Sequence, residues 1–228
     1  MNTFIHHMKS TRNLLKMITN KQFIVNIKFP FKDPSYWGIE TYRKKAIENI
    51  SKTSFFQNYG FDLPAADASK EAISFFESYG YKITNCEYFY FNPNYAMCIH
   101  IDGDCLTNNA KFNWAFGEDH QFKFFEPIEQ GRLDTEIKQD DSLKSVLPSD
   151  EPYGLVYEEN QVIEKINKPI AYPSLCRVGH PHQLINGNKP LELFNIVITK
   201  QDSKNNDPKT KGWADMDELL KVFKEYVI

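Results

Sequence analysis

Tyr81-Lys82-Ile83-Thr84-Asn85-Cys86-Glu87-Tyr88-Phe89-Tyr90-Phe91-Asn92-Pro93-Asn94-Tyr95 is the stretch where the hydropathic period of this chain becomes two. Alternation rich in aromatic residues predicts a strand over 82–91, closed by the turn signal Pro93-Asn94. The same period recurs downstream, with strands expected over 96–102, 111–117, 121–126, 153–157, 161–165, 174–178, 182–186 and 191–199. Asp102-Gly103 and Asn186-Gly187-Asn188 are further turn signals. Short strands at regular spacing predict a sandwich or barrel. Residues 129–151 are polar and acidic and read as a long surface loop.

Upstream the period is helical. Residues 39–50 place Ile39, Tyr42, Ala46 and Ile50 on one side. A second helix is expected from Asp67, as its cap, to Tyr79, closed by Gly80. Before these, a short strand is expected over Phe23 to Ile27, ended by Pro30, Pro34 and Gly38. Residues 1–32 lack Asp and Glu and read as a basic amphipathic helix around 9–18 leading into that strand. A last helix begins at Asp215, with Glu218 placed for a capping box. Helices, a block of strands and a closing helix predict a mainly β fold with flanking helices, a double-stranded β-helix or jelly roll. It is expected as one domain over 1–228: a helical buttress over 1–80, the jelly roll over 81–199 and the final helix over 213–228.

Composition narrows the function. Of 228 residues, 41% are hydrophobic, 25% charged and 14% aromatic, as suits a chain that buries a core. A net charge of −3 argues against a nucleic-acid binder. No apolar run approaches the length that spans a bilayer. The four cysteines, Cys86, Cys98, Cys105 and Cys176, contain no CxxC pair, which excludes a zinc ribbon or a thioredoxin-type site. They read as reduced, buried thiols of a cytoplasmic protein. Oligomeric state is left open.

The histidines hold the chemistry. His6 and His7 lie in the basic start, and His120 in the turn Gly117-Glu118-Asp119-His120; all three are expected in solvent. His100 sits in Ala96-Met97-Cys98-Ile99-His100-Ile101-Asp102-Gly103. Strand side chains alternate, so Ile99 and Ile101 share one face while Cys98, His100 and Asp102 share the other. An imidazole and a carboxylate at i and i+2 can meet at one metal ion, with a bend at Gly103 turning Asp102 inward. Residues 173–186, Pro-Ser-Leu-Cys-Arg-Val-Gly-His-Pro-His-Gln-Leu-Ile-Asn, supply a third donor from His180 or His182. Two histidines and one carboxylate on one side of an ion form the facial triad used by non-haem Fe(II) oxygenases.

With Phe112-Asn113-Trp114-Ala115-Phe116-Gly117 between them, these segments resemble the 2-oxoglutarate/Fe(II)-dependent dioxygenase superfamily, in its small prolyl- or aspartyl-hydroxylase-like form. The resemblance covers about residues 81–199. It implies an oxidoreductase that binds Fe(II), takes 2-oxoglutarate as co-substrate and hydroxylates an unidentified small-molecule or peptide substrate. By motif position, His100, Asp102 and His182 are the implied iron ligands, with His182 preferred to His180 because the family's ligand follows the Pro. The family also carries an Arg on the strand after the distal His, which pairs with the far carboxylate of 2-oxoglutarate. Here 190–196 read Pro-Leu-Glu-Leu-Phe-Asn-Ile, without a base. Arg177 is the first substitute, followed by Lys123 and Lys111. Asn113 and Tyr90, with Tyr88 beside it, are further candidates for contacting the co-substrate. Two other classes fit the same pattern: a non-catalytic jelly-roll binding module, and a cupin-like isomerase or lyase with the metal as Lewis acid. The enzyme readings require the three ligand atoms to lie within roughly 3–4 Å of one another, since first-shell bonds are near 2.0–2.2 Å.

Overall fold

The computed structural model describes residues 22–32, 40–52, 58–63, 68–133, 154–170, 173–202 and 213–228. Among these, strands numbered along the chain form two six-stranded antiparallel sheets. The first, in spatial order, holds β1 (Ile24–Asn26), β10 (Ser174–Arg177), β5 (Ala110–Phe116), β12 (Leu191–Lys200), β3 (Tyr81–Phe91) and β2 (Asn58–Leu63). The second holds β7 (Arg132–Leu133), β8 (Leu155–Tyr157), β4 (Ile99–His100), β11 (His182–Ile185), β6 (Gln121–Pro127) and β9 (Val162–Lys168). From β3 to β6, and again from β10 to β12, each successive strand joins the opposite sheet. This is the expected jelly roll, mainly β with flanking helices.

Strand parity sorts the side chains into three apolar layers. Phe91, Cys176, Leu191 and Leu193 of the first sheet meet Phe122, Phe124 and Leu184 of the second in the layer between them. On the other face of the first sheet, Tyr88, Phe112, Trp114, Phe194 and Ile196 pack under the helices α1 (Glu40–Lys52), α2 (Lys70–Ser78) and α3 (Met216–Val222). Ala46, Ala72, Phe76, Met216 and Leu219 are fully buried contacts of those helices. On the other face of the second sheet, Ile99 and Ile101 join Phe125, Leu155 and Tyr157. A strand slipped by one residue would send all of these to the wrong layer, so burial fixes the register.

Several local expectations are corrected. Ser69, not Asp67, caps α2: its Oγ accepts from the Ala72 N–H at 3.1 Å, and Asp67 lies outside the described residues. Asp215 caps α3 by accepting from the Asp217 and Glu218 N–H groups. The Glu218 carboxylate accepts from Tyr81 and pairs with Lys200. The strand expected over 96–102 shrinks to two residues because its backbone changes partners. Met97 N donates to Leu184, Ile101 N to Leu155 and Asp102 N to Val178. β2 and β7 were not anticipated. Cys86 and Cys176 are buried, but Cys105 is exposed; all four thiols are free. The basic helix at 9–18, His6, His7 and most of the 129–151 loop lie outside the described residues. Among the described residues no helix is long and apolar enough to cross a membrane.

Candidate metal centre

His100 and His182 are direct cross-strand partners in the pairing of β4 with β11. Their rings therefore stand side by side in the inner layer, with centroids 4.4 Å apart. Asp102 follows two residues later on the same face. Gly103 then turns the chain at φ 136°, a region that L side chains rarely adopt. The result is one buried group: a nitrogen from each histidine and one Asp102 oxygen all lie within 4.8 Å of one another. Asp102 Oδ1 is 3.5 Å from His100 Nε2 and 3.8 Å from His182 Nε2. These two separations fall in the roughly 3–4 Å range expected of neighbouring ligands on one ion, whereas the 4.8 Å that encloses the whole set is wider than that range.

The backbone presets the rings. His100 Nδ1 lies 3.1 Å from the Cys98 carbonyl and His182 Nδ1 2.9 Å from the His180 carbonyl. A carbonyl only accepts, so each Nδ1 carries a proton, and each Nε2, facing Asp102, is the atom left to take a metal ion or a second proton. Metal-binding histidines are oriented in this way by their second nitrogen. Phe122 stacks on His182 at 9° between planes and holds its tilt.

The carboxylate is held just as firmly. Lys111 Nζ lies 2.7 Å from Asp102 Oδ2, on the side away from the imidazoles. Burial alone would raise the Asp102 pKa, but Lys111 first, then the histidines, hold it far below the carboxylate range. Burial, with the neighbouring His100 adding to it, pushes the His182 pKa down. Burial also opposes charge on His100, yet its contacts with Asp102 and the Cys98 carbonyl outweigh this, so His100 binds a proton more tightly than usual. A metal ion would compete with that proton. Two neutral imidazole nitrogens and one ionised oxygen suit a divalent first-row ion.

A cavity of about 40 Å³ opens beside the triad. Its polar wall is Lys111, Asn113 and Asn195; Phe89, Phe91, Phe122, Leu184 and Leu193 contribute to the apolar wall. Asn113 thus takes the position its parity implied. Lys111, last among the expected substitutes, is the base that reaches the cavity. Glu87 and Asn195, which the sequence reading did not single out, complete the group. Lys111 pairs with Glu87 at 2.8 and 3.0 Å, and Asn195 donates to Glu87 at 3.0 Å. Glu87 could have been noticed as a lone charge at the inward parity of Phe89 and Phe91.

Other expected site residues lie elsewhere. Arg177 shares strand parity with Leu175 and points to the helix-covered face, away from the cavity. Its guanidinium is fully buried and donates to the Gln22 carbonyl, to Asn108 and to Asp217. It ties β10 to the start of α3. Arg177→Ala is therefore expected to destabilise the fold by roughly 3 kcal/mol, through the cavity left by a fully buried side chain and the loss of its three hydrogen bonds, without weakening ligand binding at the triad. Denaturant titration and metal titration of the same variant check both halves. Tyr90 packs against the helix-side layer, as does Tyr88, whose hydroxyl donates to Glu192. Lys123 is part-exposed and pairs with Glu164 at 3.0 Å.

His120 is buried rather than solvated, with Nε2 accepting from the Ile170 N–H at 3.0 Å. His180 is buried too, edge-on to Phe23. Its contribution to the triad is its backbone carbonyl, which any residue supplies. His180→Ala is therefore expected to keep Mn(II) affinity within about threefold, a change under ~1 kcal/mol, whereas His182→Ala removes a ligand. Parallel Mn(II) titrations distinguish the two, and equal losses would reverse the assignment.

No protein-family model matches this chain, and no curated protein does. Among solved structures, it is similar to a recombinant oxalate oxidase in complex with glycolate, with a TM-score of 0.32 and 11% identity. That match covers 64% of this chain and 52% of the other. An oxalate oxidase in complex with the substrate analogue glycolate gives the same TM-score and identity over 74% of this chain and 66% of that one.

Proposed function

We propose that this protein is a non-haem Fe(II)-dependent oxygenase that consumes a 2-oxo acid, the class to which the 2-oxoglutarate implied by the sequence resemblance belongs. The observation that supports this reading is the convergence of His100, Asp102 and His182 in one buried pocket, with both Nε2 atoms toward one carboxylate oxygen. The two Nε2 atoms and Asp102 Oδ1 would hold the ion. Bound Fe(II) would supply O₂ chemistry, one oxygen atom entering a substrate C–H bond and the other the 2-oxo acid, which loses CO₂.

The chain's own residues prepare that chemistry. The Cys98 and His180 carbonyls fix the imidazole tautomers. Lys111 occupies Asp102 Oδ2, so the carboxylate offers one oxygen and does not close a second coordination position. The aromatic wall of Phe89, Phe91 and Phe122 keeps bulk water from the reacting atoms. The experiment is anaerobic loading with Fe(II), followed by a 2-oxo acid, with 2-oxoglutarate and 2-oxopentanoate tried in parallel, and O₂, reading CO₂ release. Release that depends on both Fe(II) and O₂ and is absent in His182→Ala is expected. Tight Fe(II) binding without any 2-oxo acid consumption would favour the Lewis-acid reading instead.

A further inference from the structure

The inner face of the first sheet carries an in-register polar row. Ser174 on β10 faces Asn113 on β5, which faces Asn195 on β12, which faces Glu87 on β3. All four are buried. Lys111, one inward position from Asn113, reaches Glu87 with both carboxylate oxygens in range and Asp102 with the same ammonium. An ammonium has three N–H donors, and these three contacts use them. The face of Trp213 lies 4.6 Å from the same nitrogen. So the cation at this cavity is committed to two carboxylates of the protein.

Asn195 gives the matching sign on its side. Its amide donates to Glu87, and since a carboxylate only accepts, the amide cannot be flipped. Its Oδ1 is buried without a hydrogen-bond partner and belongs to a residue lining the cavity. A second carboxylate on a ligand could not satisfy that oxygen. The remaining wall is mostly apolar, with Phe122, Leu184 and Leu193 among its residues.

We propose that the 2-oxo acid used here is a monocarboxylate with an apolar tail, not a dicarboxylate. This rests on the oxygenase reading of the same centre. With Asp102, Glu87 and Lys111 present, a divalent ion leaves the centre with one net positive charge, and a monoanion brings it to neutrality. A chelated 2-oxoglutarate would carry a second carboxylate, three carbon–carbon bonds of about 1.5 Å beyond its keto carbon. That carboxylate would meet hydrocarbon and the Asn195 oxygen, and a buried charge without a partner is strongly disfavoured.

The test uses a matched pair of five-carbon acids, 2-oxoglutarate and 2-oxopentanoate, which differ only in the terminal carboxylate. Mn(II) serves as the ion, in the full chain under anaerobic conditions. Mn(II) is titrated first by calorimetry; each acid is then titrated into the Mn(II)-loaded protein. 2-Oxopentanoate is expected to bind at least about tenfold more tightly, a difference of ~1.4 kcal/mol. Glu87→Gln, which releases Lys111 from a carboxylate, is expected to shift the ratio toward 2-oxoglutarate by a similar factor. Equal or tighter binding of 2-oxoglutarate to the unchanged protein overturns the proposal and leaves the metal centre standing. Mn(II) binding with no affinity for either acid overturns it as well. Failure to bind Mn(II) at all overturns the oxygenase reading, and the proposal with it.

Discussion

Asp102→Ala is expected to lower Mn(II) or Fe(II) affinity by more than about 100-fold, beyond the range that changes outside a ligand set produce. Asp102 is the one anion of the triad, and both imidazole Nε2 atoms lie near its Oδ1. Without it the pocket presents two neutral nitrogens beside the Lys111 cation, which repels a divalent ion. The fold should survive, because Lys111 keeps both contacts to Glu87. Calorimetric titration under anaerobic conditions reads the affinity, and circular dichroism reads the fold. Unchanged affinity in a folded variant would return His100 and Asp102 to an ordinary buried ion network.

Lys111→Met has the next largest expected effect, on stability. The ammonium is 2% exposed and stands between two carboxylates that are almost as buried. Removing it leaves Asp102 and Glu87 close together without a cation. Breaking a buried pair from one side costs about 3–5 kcal/mol. Replacing both partners of a pair by apolar groups of similar shape is often neutral, so adding Glu87→Met to Lys111→Met should recover the part of the loss that the stranded Glu87 causes, while Asp102 keeps only its contacts with the imidazoles. A double-mutant cycle in denaturant isolates the coupling. If the two single losses simply add, Lys111 and Glu87 are not acting as a pair.

The same parity rule explains what could be read in the sequence and what could not. Applied to Ile99 and Ile101 against His100 and Asp102, it separates the triad face from the apolar face, and the structure has both. Applied to Asn113, it selects the cavity side. Carried two residues back, it selects Lys111 as well; carried along β10, it sends Arg177 to the side of Leu175. The preference for Arg177 rests instead on its place on the strand leading into the distal His and on bidentate guanidinium chemistry, both of which are silent on which face a strand presents. Tyr90 fails for the same reason, sharing the outward parity of Tyr88.

Other features have no local signal. His120 is buried through a contact with Ile170, fifty positions along the chain. The pairing of His100 with His182 is a matter of sheet register, settled only when β4 and β11 meet. β2 alternates, with Tyr59, Phe61 and Leu63 set between Asn58, Gly60 and Asp62, but Asn, Gly and Asp are poor strand formers and read as turn residues; it forms by pairing with β3 from Asn58 opposite Phe91 to Leu63 opposite Cys86. Asp67 and Ser69 both suit a helix cap, and only the Ala72 N–H contact decides between them.

The most direct test of the central claim is a crystal soaked in Mn(II) and measured for anomalous scattering. One peak is expected in the inner layer, bonded at about 2.0–2.2 Å to Nε2 of His100, Nε2 of His182 and a single oxygen of Asp102, with Lys111 still on the other oxygen. No peak between these three side chains, or a peak held by His180 with His182 turned away, would contradict it.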